Sequence, residues 1–238
     1  MPSASPTLRT AAFFDLDDTL IDGVSGILYA RFERREGRIS GLQMGQALLW
    51  GVLYRLSLMD IERAFERALA YYRGVPEATL RERTVGWFEA DVAHLLRPGA
   101  LPVLAEHRAA GRPLVLLTNS SPYMAEIACR TFGLDDWLSN YFNVDEQGSM
   151  TGGFERPLCY GAGKVARAQV WCDKRGIDLG ESWFYSDSLS DLAMLERVAK
   201  PRVVHPDPRL RRLARQRGWP VLEWGDARAA QAPHRPAR

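Results

Sequence analysis

Three short apolar runs in this chain stop abruptly at polar residues. AAFFDL at 11–16 leads into Asp17-Asp18-Thr19, PLVLL at 113–117 into Thr118-Asn119-Ser120, and SWFYS at 182–186 into Asp187-Ser188. A continuous apolar run bounded by polar residues is the pattern of a parallel strand buried on both faces. From residue 97 onward such runs alternate with helical periodicity, at about 100–110, 122–132, 161–175, 189–198 and 207–217, with a short strand RVV at 202–204. YFNVDE and SMTGGFE read as a pair of short strands joined at Gln147-Gly148. This alternation predicts an α/β fold, a doubly wound and mainly parallel sheet, in which ligands bind beyond the carboxyl ends of the strands. The three polar run ends should therefore converge.

Between about 26 and 96 the texture changes to helix throughout, as in Ile61, Ala64, Phe65, Ala68, Leu69 and Tyr72. Ser40 and Asp60 are suited to capping two helices, and Pro76 suits the first turn of another. About four helices are expected, inserted directly after the first strand and closed off by the breaker Arg97-Pro98-Gly99. The expected division is a core of 1–23 and 97–225, a helical insertion of 24–96, and a flexible tail of 226–238.

Composition narrows the setting. Thirty-one basic and twenty-nine acidic residues leave a net charge of +2, which gives no electrostatic reason to expect nucleic acid as a partner. The stretch 41–59 is apolar but is interrupted by Gln43, Gln46 and Arg55, so it reads as a buried or covering helix and no stable membrane insertion is expected. MPSASPTLRT lacks the apolar run of a secretory leader, and three cysteines without a CxxC pair suggest neither zinc nor disulfides. A cytoplasmic location fits these features, and the oligomeric state stays open.

The chemistry lies in what converges. Asp15, Asp17, Asp18 and Asp187 gathered at one sheet edge would repel one another unless a cation offset them. An all-oxygen set suits magnesium, which takes one or two carboxylates and keeps several waters. Asp15 and Asp187 can supply that pair, and a backbone carbonyl near Asp17 a third oxygen. Lys164 in GAGK offers a point charge for a phosphate oxygen, Thr118 a hydroxyl, and Asn119 a backbone N–H before a helix. This is equipment for phosphoryl transfer, where catalysis is mostly positioning and charge neutralisation.

DLDDTL at 15–20, Thr118, Lys164 and Asp187-Ser-Leu-Ser-Asp191 occur in the order of the four motifs of the haloacid dehalogenase superfamily, which this chain resembles. The insert after motif one resembles the type-one cap of subclass I, and CYGAGK at 159–164 resembles the phosphoserine-phosphatase-like branch. The resemblance implies a magnesium-dependent phosphatase acting on a small phosphate monoester through an aspartyl-phosphate. Asp15 would be the nucleophile and Asp17 the general acid and base. Thr118, Asn119 and Lys164 would bind phosphate, Asp15, Asp17 and Asp187 the metal, and Asp191 would support Lys164 or a metal-bound water. Asp17 also separates this chain from dehalogenases, which need no acid for a halide. Phosphoserine phosphatases carry glutamate nine residues after the nucleophile. Here Val24 stands in that place, so phosphoserine is not the expected substrate. Two alternatives stay open: a ligand-binding descendant without turnover, and a true phosphoserine phosphatase.

Overall fold

A computed structural model of the chain describes residues 9–55 and 60–227. The start of the expected lead-in, the end of the 41–59 stretch and nearly all of the expected tail lie outside the described residues. After β1 (Ala12–Phe14) come four helices, α1 (Ser25–Arg35), α2 (Gly41–Arg55), α3 (Ile61–Ala70) and α4 (Glu77–Asp91). Then follow α5 (Ala100–Ala109), β2 (Leu114–Leu117), α6 (Pro122–Phe132), β3 (Asp136–Leu138), β4 (Phe142–Val144) and β5 (Met150–Phe154). The chain finishes with α7 (Ala162–Asp173), β6 (Trp183–Ser186), α8 (Leu192–Arg197), β7 (Lys200–Val204), α9 (Pro208–Arg217) and β8 (Val221–Leu222).

Six strands form a parallel sheet in the order β3-β2-β1-β6-β7-β8. β1 lies between β2 and β6, with Phe14 level with both Leu116 and Tyr185. The period of two explains how four consecutive apolar residues serve two layers. Ala11 and Phe13 pack with Val115, Phe184 and the apolar residues of α7, α8 and α9. Ala12 and Phe14 pack on the opposite face with Leu116, Tyr185 and residues of α4, α5 and α6. Burying a side chain of that size contributes about 1.5–3 kcal/mol. Because all six strands run the same way, their carboxyl ends share one edge.

The helical insertion follows its sequence signals locally. Ser40 Oγ accepts from the Gln43 N–H at 3.2 Å while Gln43 returns an acceptor to the Ser40 N–H at 2.7 Å, a reciprocal cap on α2. Asp60 accepts from the Arg63 N–H at the start of α3. Both connections between insertion and sheet run side by side: the Asp22 N–H donates to Leu95 O at 2.9 Å and the Arg97 N–H to Leu20 O at 2.8 Å. The buried Arg97 guanidinium reaches Asp22 at 3.3 Å and the Gly225 carbonyl at 2.9 Å.

β4 and β5 form the expected antiparallel hairpin, and the segment joining α3 to α4 adds to it. The Gly74 N–H donates to Met150 O, the Met150 N–H to Val75 O and the Glu77 N–H to Gly148 O, at 2.8, 2.9 and 2.9 Å. Beneath this junction Leu69, Leu80, Tyr123, Met150, Phe154 and Leu158 form a third apolar cluster. Strands β3 and β8, of three and two residues, were not anticipated; neither lies in a continuous apolar run like those of β1 and β2.

Candidate active site

The first strand runs straight into the site. Asp15 still belongs to the ladder, its N–H donating to Tyr185 O at 2.9 Å. Beyond it the chain makes a wide turn over Leu16–Leu20 in which Asp17 is extended and Asp18 left-handed, with φ of 52°. Two backbone bonds close that turn, Ile21 N–H to Leu16 O and Asp18 N–H to Gly23 O, each 3.0 Å. Asp18 thus serves the turn geometry, which a short polar side chain tolerates best among non-glycine residues.

Lys164, in the first turn of α7 and 2% exposed, is the centre of the arrangement. Its Nζ donates to Asp15 Oδ1 and to Asp191 Oδ2, both at 2.7 Å. Asp191 Oδ2 also accepts from Ser186 Oγ at 2.7 Å. A buried lysine held by two carboxylates from distant parts of the chain is a fully paired ionic network, the condition under which buried charge is tolerated. Gly163 makes the placement possible. A Cβ there would lie 1.8 Å from the Leu158 carbonyl oxygen, so any other residue would push the first turn of α7 off its seat.

Asp187 follows β6 and accepts from the Thr19 hydroxyl at 3.3 Å. Thr118 follows β2, buried, with its N–H on Leu138 O and its hydroxyl accepting from the Ser120 N–H at 3.2 Å. Asn119 is tied down by Asn140, whose Nδ2 donates to the Asn119 carbonyl at 2.9 Å and to its side-chain oxygen at 3.0 Å. Asn140 Oδ1 in turn accepts from the Cys159 N–H at 2.7 Å. One buried amide therefore fixes the loop after β2 to the loop that leads into GAGK. Asp17 is bound differently, with Oδ1 accepting from the Ser25 N–H and Oδ2 from the Ser25 hydroxyl, both at 2.9 Å.

Of the residues singled out in the sequence, Asp15, Lys164 and Asp191 are joined by direct bonds. Asp187 is bonded to Thr19 of the first loop, Asn119 to Asn140, and Asp17 to Ser25. Thr19 was named only as part of the polar run and motif after the first strand, and Ser25, Asn140 and Ser186 were not singled out. Each is a small polar residue whose partner lies elsewhere, and nothing periodic in the sequence marks it.

Burial raises the Asp15 carboxyl above the usual range, with Asp191 and Asp17 adding to the rise and the Lys164 ammonium pulling it down. Burial also pushes Asp17 up to about 6, against the two Ser25 donors. A carboxyl in that range can release a proton to a leaving group and take one back near neutral pH. The cluster thus offers a carboxylate beside a fixed cation, a second carboxyl able to exchange protons, and a hydroxyl at the same sheet edge.

A family model described as haloacid dehalogenase-like hydrolase matches residues 12–196. The chain is 25% identical over 221 residues to a histidinol-phosphatase from Neisseria meningitidis, covering 91% of this chain and 100% of that protein. It is 30% identical over 231 residues to a protein named phosphoserine phosphatase SerB1 from Mycobacterium tuberculosis, covering 94% of this chain and 73% of that one. A crystal structure of a protein of unknown function from Bordetella pertussis superposes with a TM-score of 0.81 at 30% identity, over 92% of this chain and 100% of the other. With the matched region running from the first strand to the helix after Asp191, the chain belongs to the haloacid dehalogenase-like hydrolase family.

Proposed function

We propose that this protein is a magnesium-dependent phosphatase that hydrolyses a small phosphate monoester through an aspartyl-phosphate on Asp15. The observation that carries the reading is the buried Lys164 bridge between Asp15 and Asp191 at 2.7 Å each, set where the strand ends meet. A fixed ammonium beside the nucleophile offsets the charge brought in by the phosphate.

In the proposed reaction an Asp15 carboxylate oxygen forms a bond to phosphorus as the bond to the leaving oxygen breaks. Asp17 gives its proton to that oxygen. It then accepts a proton from a water molecule as the water oxygen attacks phosphorus, which frees phosphate and restores Asp15. Thr118, Asn119 and Lys164 hold the phosphate oxygens during both steps.

Among the described residues no group of three or more His, Cys, Asp or Glu side chains stands at metal-holding spacing. The donors present fit an ion that needs few side chains: the carboxylates of Asp15 and Asp187, a carbonyl at Asp17, and waters. Magnesium bound there would neutralise charge on the phosphate and on the attacking carboxylate.

The insertion, taken as a cap spanning 24–96, is the part proposed to select the substrate. The names of the two curated relatives make phosphoserine and histidinol phosphate the substrates to compare. Val24, the residue just before α1, offers no charge to an ammonium group, so phosphoserine should gain no advantage.

The test is kcat/KM for phosphoserine, histidinol phosphate, glycerol phosphate and an aryl phosphate. It is run on wild type and Asp15→Asn, with EDTA and with magnesium restored. Asp15→Asn should lose at least about three orders of magnitude, and EDTA should silence the enzyme until magnesium returns. Turnover that survives either treatment removes the nucleophile or the metal from the mechanism. A clear preference for phosphoserine overturns the substrate reading.

A further inference from the structure

Ser25 is the first residue of α1 and is buried, yet it does not act as an ordinary helix cap. A capping serine accepts a bond from an N–H further along its own helix. The residue at the cap position here, Val24, has no side chain able to do so. Ser25 instead donates outward twice, its N–H to Asp17 Oδ1 and its hydroxyl to Asp17 Oδ2, both at 2.9 Å.

Both oxygens of one carboxylate are thus occupied by one residue, which fixes the plane of the carboxylate as well as its position. The N–H is one of the donors that a helix start leaves without an internal partner, and the positive end of the helix adds to the attraction for an acid. Gly23, between the two residues, has φ of +151°, and an added Cβ would meet Leu28 at 3.3 Å. The path from Asp17 to α1 therefore requires glycine at this position.

We propose that Ser25 is the positioning residue for Asp17, and that through it the seat of α1 on the sheet sets the alignment of the acid with the leaving oxygen. This inference rests on Asp17 being the general acid and base, as in the proposed function. Its physical content is orientation: a proton is transferred along a bond that must point at the leaving atom, and a carboxylate free to rotate spends time pointed elsewhere. The effect should grow with the leaving group's need for a proton. A nitrophenolate leaves readily without one, whereas an alkoxide does not.

The experiment measures kcat and KM for p-nitrophenyl phosphate and for glycerol 1-phosphate with wild type, Asp15→Asn, Asp17→Asn, Ser25→Ala and Ser25→Thr. Ser25→Ala should lower kcat on the alkyl ester by about tenfold more than on the aryl ester, a fraction of what an acid contributes. KM should stay within about twofold. Ser25→Thr, which keeps both donors, should restore the alkyl rate. Equal losses on both esters, no loss, or a threonine variant no better than alanine would each overturn the inference.

A crystal structure of Ser25→Ala supplies a readout independent of turnover. The Asp17 carboxylate should be rotated or split between conformers, and an unchanged, fully ordered carboxylate sinks the idea. If Asp15→Asn keeps activity, or Asp17→Asn shows no dependence on the leaving group, the proposed function fails. The crystallographic comparison still decides whether Ser25 orients Asp17.

Discussion

Two helices of the insertion, α2 and α4, have the same length of 15 residues and opposite fates. Arg55 is the one charged residue of α2, whereas α4 carries Glu77, Arg81, Glu82, Arg83, Glu89 and Asp91. Compared with residues 41–50 of α2, the more polar α4 is the better buried. Trp87 and Phe88 of α4 lie in the same apolar cluster as Phe14 and Tyr185 of the sheet. On α2, Leu42 is 77% exposed and Leu49 56% exposed. Hydrophobic composition therefore does not decide burial here. What decides it is which helix faces α6 and the sheet: Leu80, Thr84, Trp87 and Phe88, the buried residues of α4, recur three to four positions apart and form its docking face.

The same contrast separates the bonds of the site from those holding the insertion. The site is built from buried bonds spanning long stretches of chain, such as Lys164 to Asp15 and Cys159 to Asn140. The insertion's α3 is tied to the chain after β5 by exposed ion pairs from Arg156 to Glu62 and Glu66. Buried, paired charges hold a fixed geometry, and exposed pairs are screened and exchange with water.

This comparison breaks first at Phe88. Phe88→Ala should cost about 3–5 kcal/mol in urea denaturation, against a change within about 0.5 kcal/mol for Leu49→Ala. Similar costs for the two would mean that α2 is covered in solution.

The second effect is on the sheet side and depends on pH. His107 is buried, with Nε2 2.8 Å from the Tyr185 hydroxyl. Burial, helped by the nearby Arg112, lowers it from 6.5 to about 4. Its contribution is present in full above pH 6.5, where the unfolded chain is also neutral, and is lost as pH falls from 6.5 to about 4. Asp15 and Asp17, raised by burial, act in the opposite sense as pH falls. The difference between wild type and His107→Gln is therefore the quantity to measure. It should shrink by up to about 3 kcal/mol between pH 7 and pH 4. A flat difference would show that His107 does not titrate against folding.

Asn140→Ala comes next. It leaves the Cys159 N–H and the Asn119 carbonyl without their partner, at about 1–3 kcal/mol per buried group. It should also lower kcat by loosening the loop that presents Thr118 and Asn119. Loss of stability with kcat untouched would make Asn140 a packing residue alone.

The smallest effect belongs to Arg156→Ala, about 0–1 kcal/mol and weaker still at high salt. A larger cost would show that these surface pairs hold the insertion as firmly as the buried bonds hold the site.

Much of this was legible in the sequence because it is written in local patterns. Apolar runs ending in polar clusters marked β1, β2 and β6, since a strand buried on both faces has no polar alternation. Ser40, Asp60 and Pro76 marked helix starts, because capping is satisfied within a few residues. Asp15 and Lys164 stood out because charged residues at strand ends and helix starts need a reason to be there, and Asp191 through its place in the fourth motif of the family the chain resembles. Tertiary structure alone decided which helix of the insertion joins the core, that the segment after α3 pairs with the β4–β5 hairpin, and that Asn140 ties the loops together and Ser25 holds Asp17. These are bonds between residues that are unremarkable on their own. Ser and Asn carry short polar groups found in any turn, and only the partner brought beside them by the fold gives each one its role.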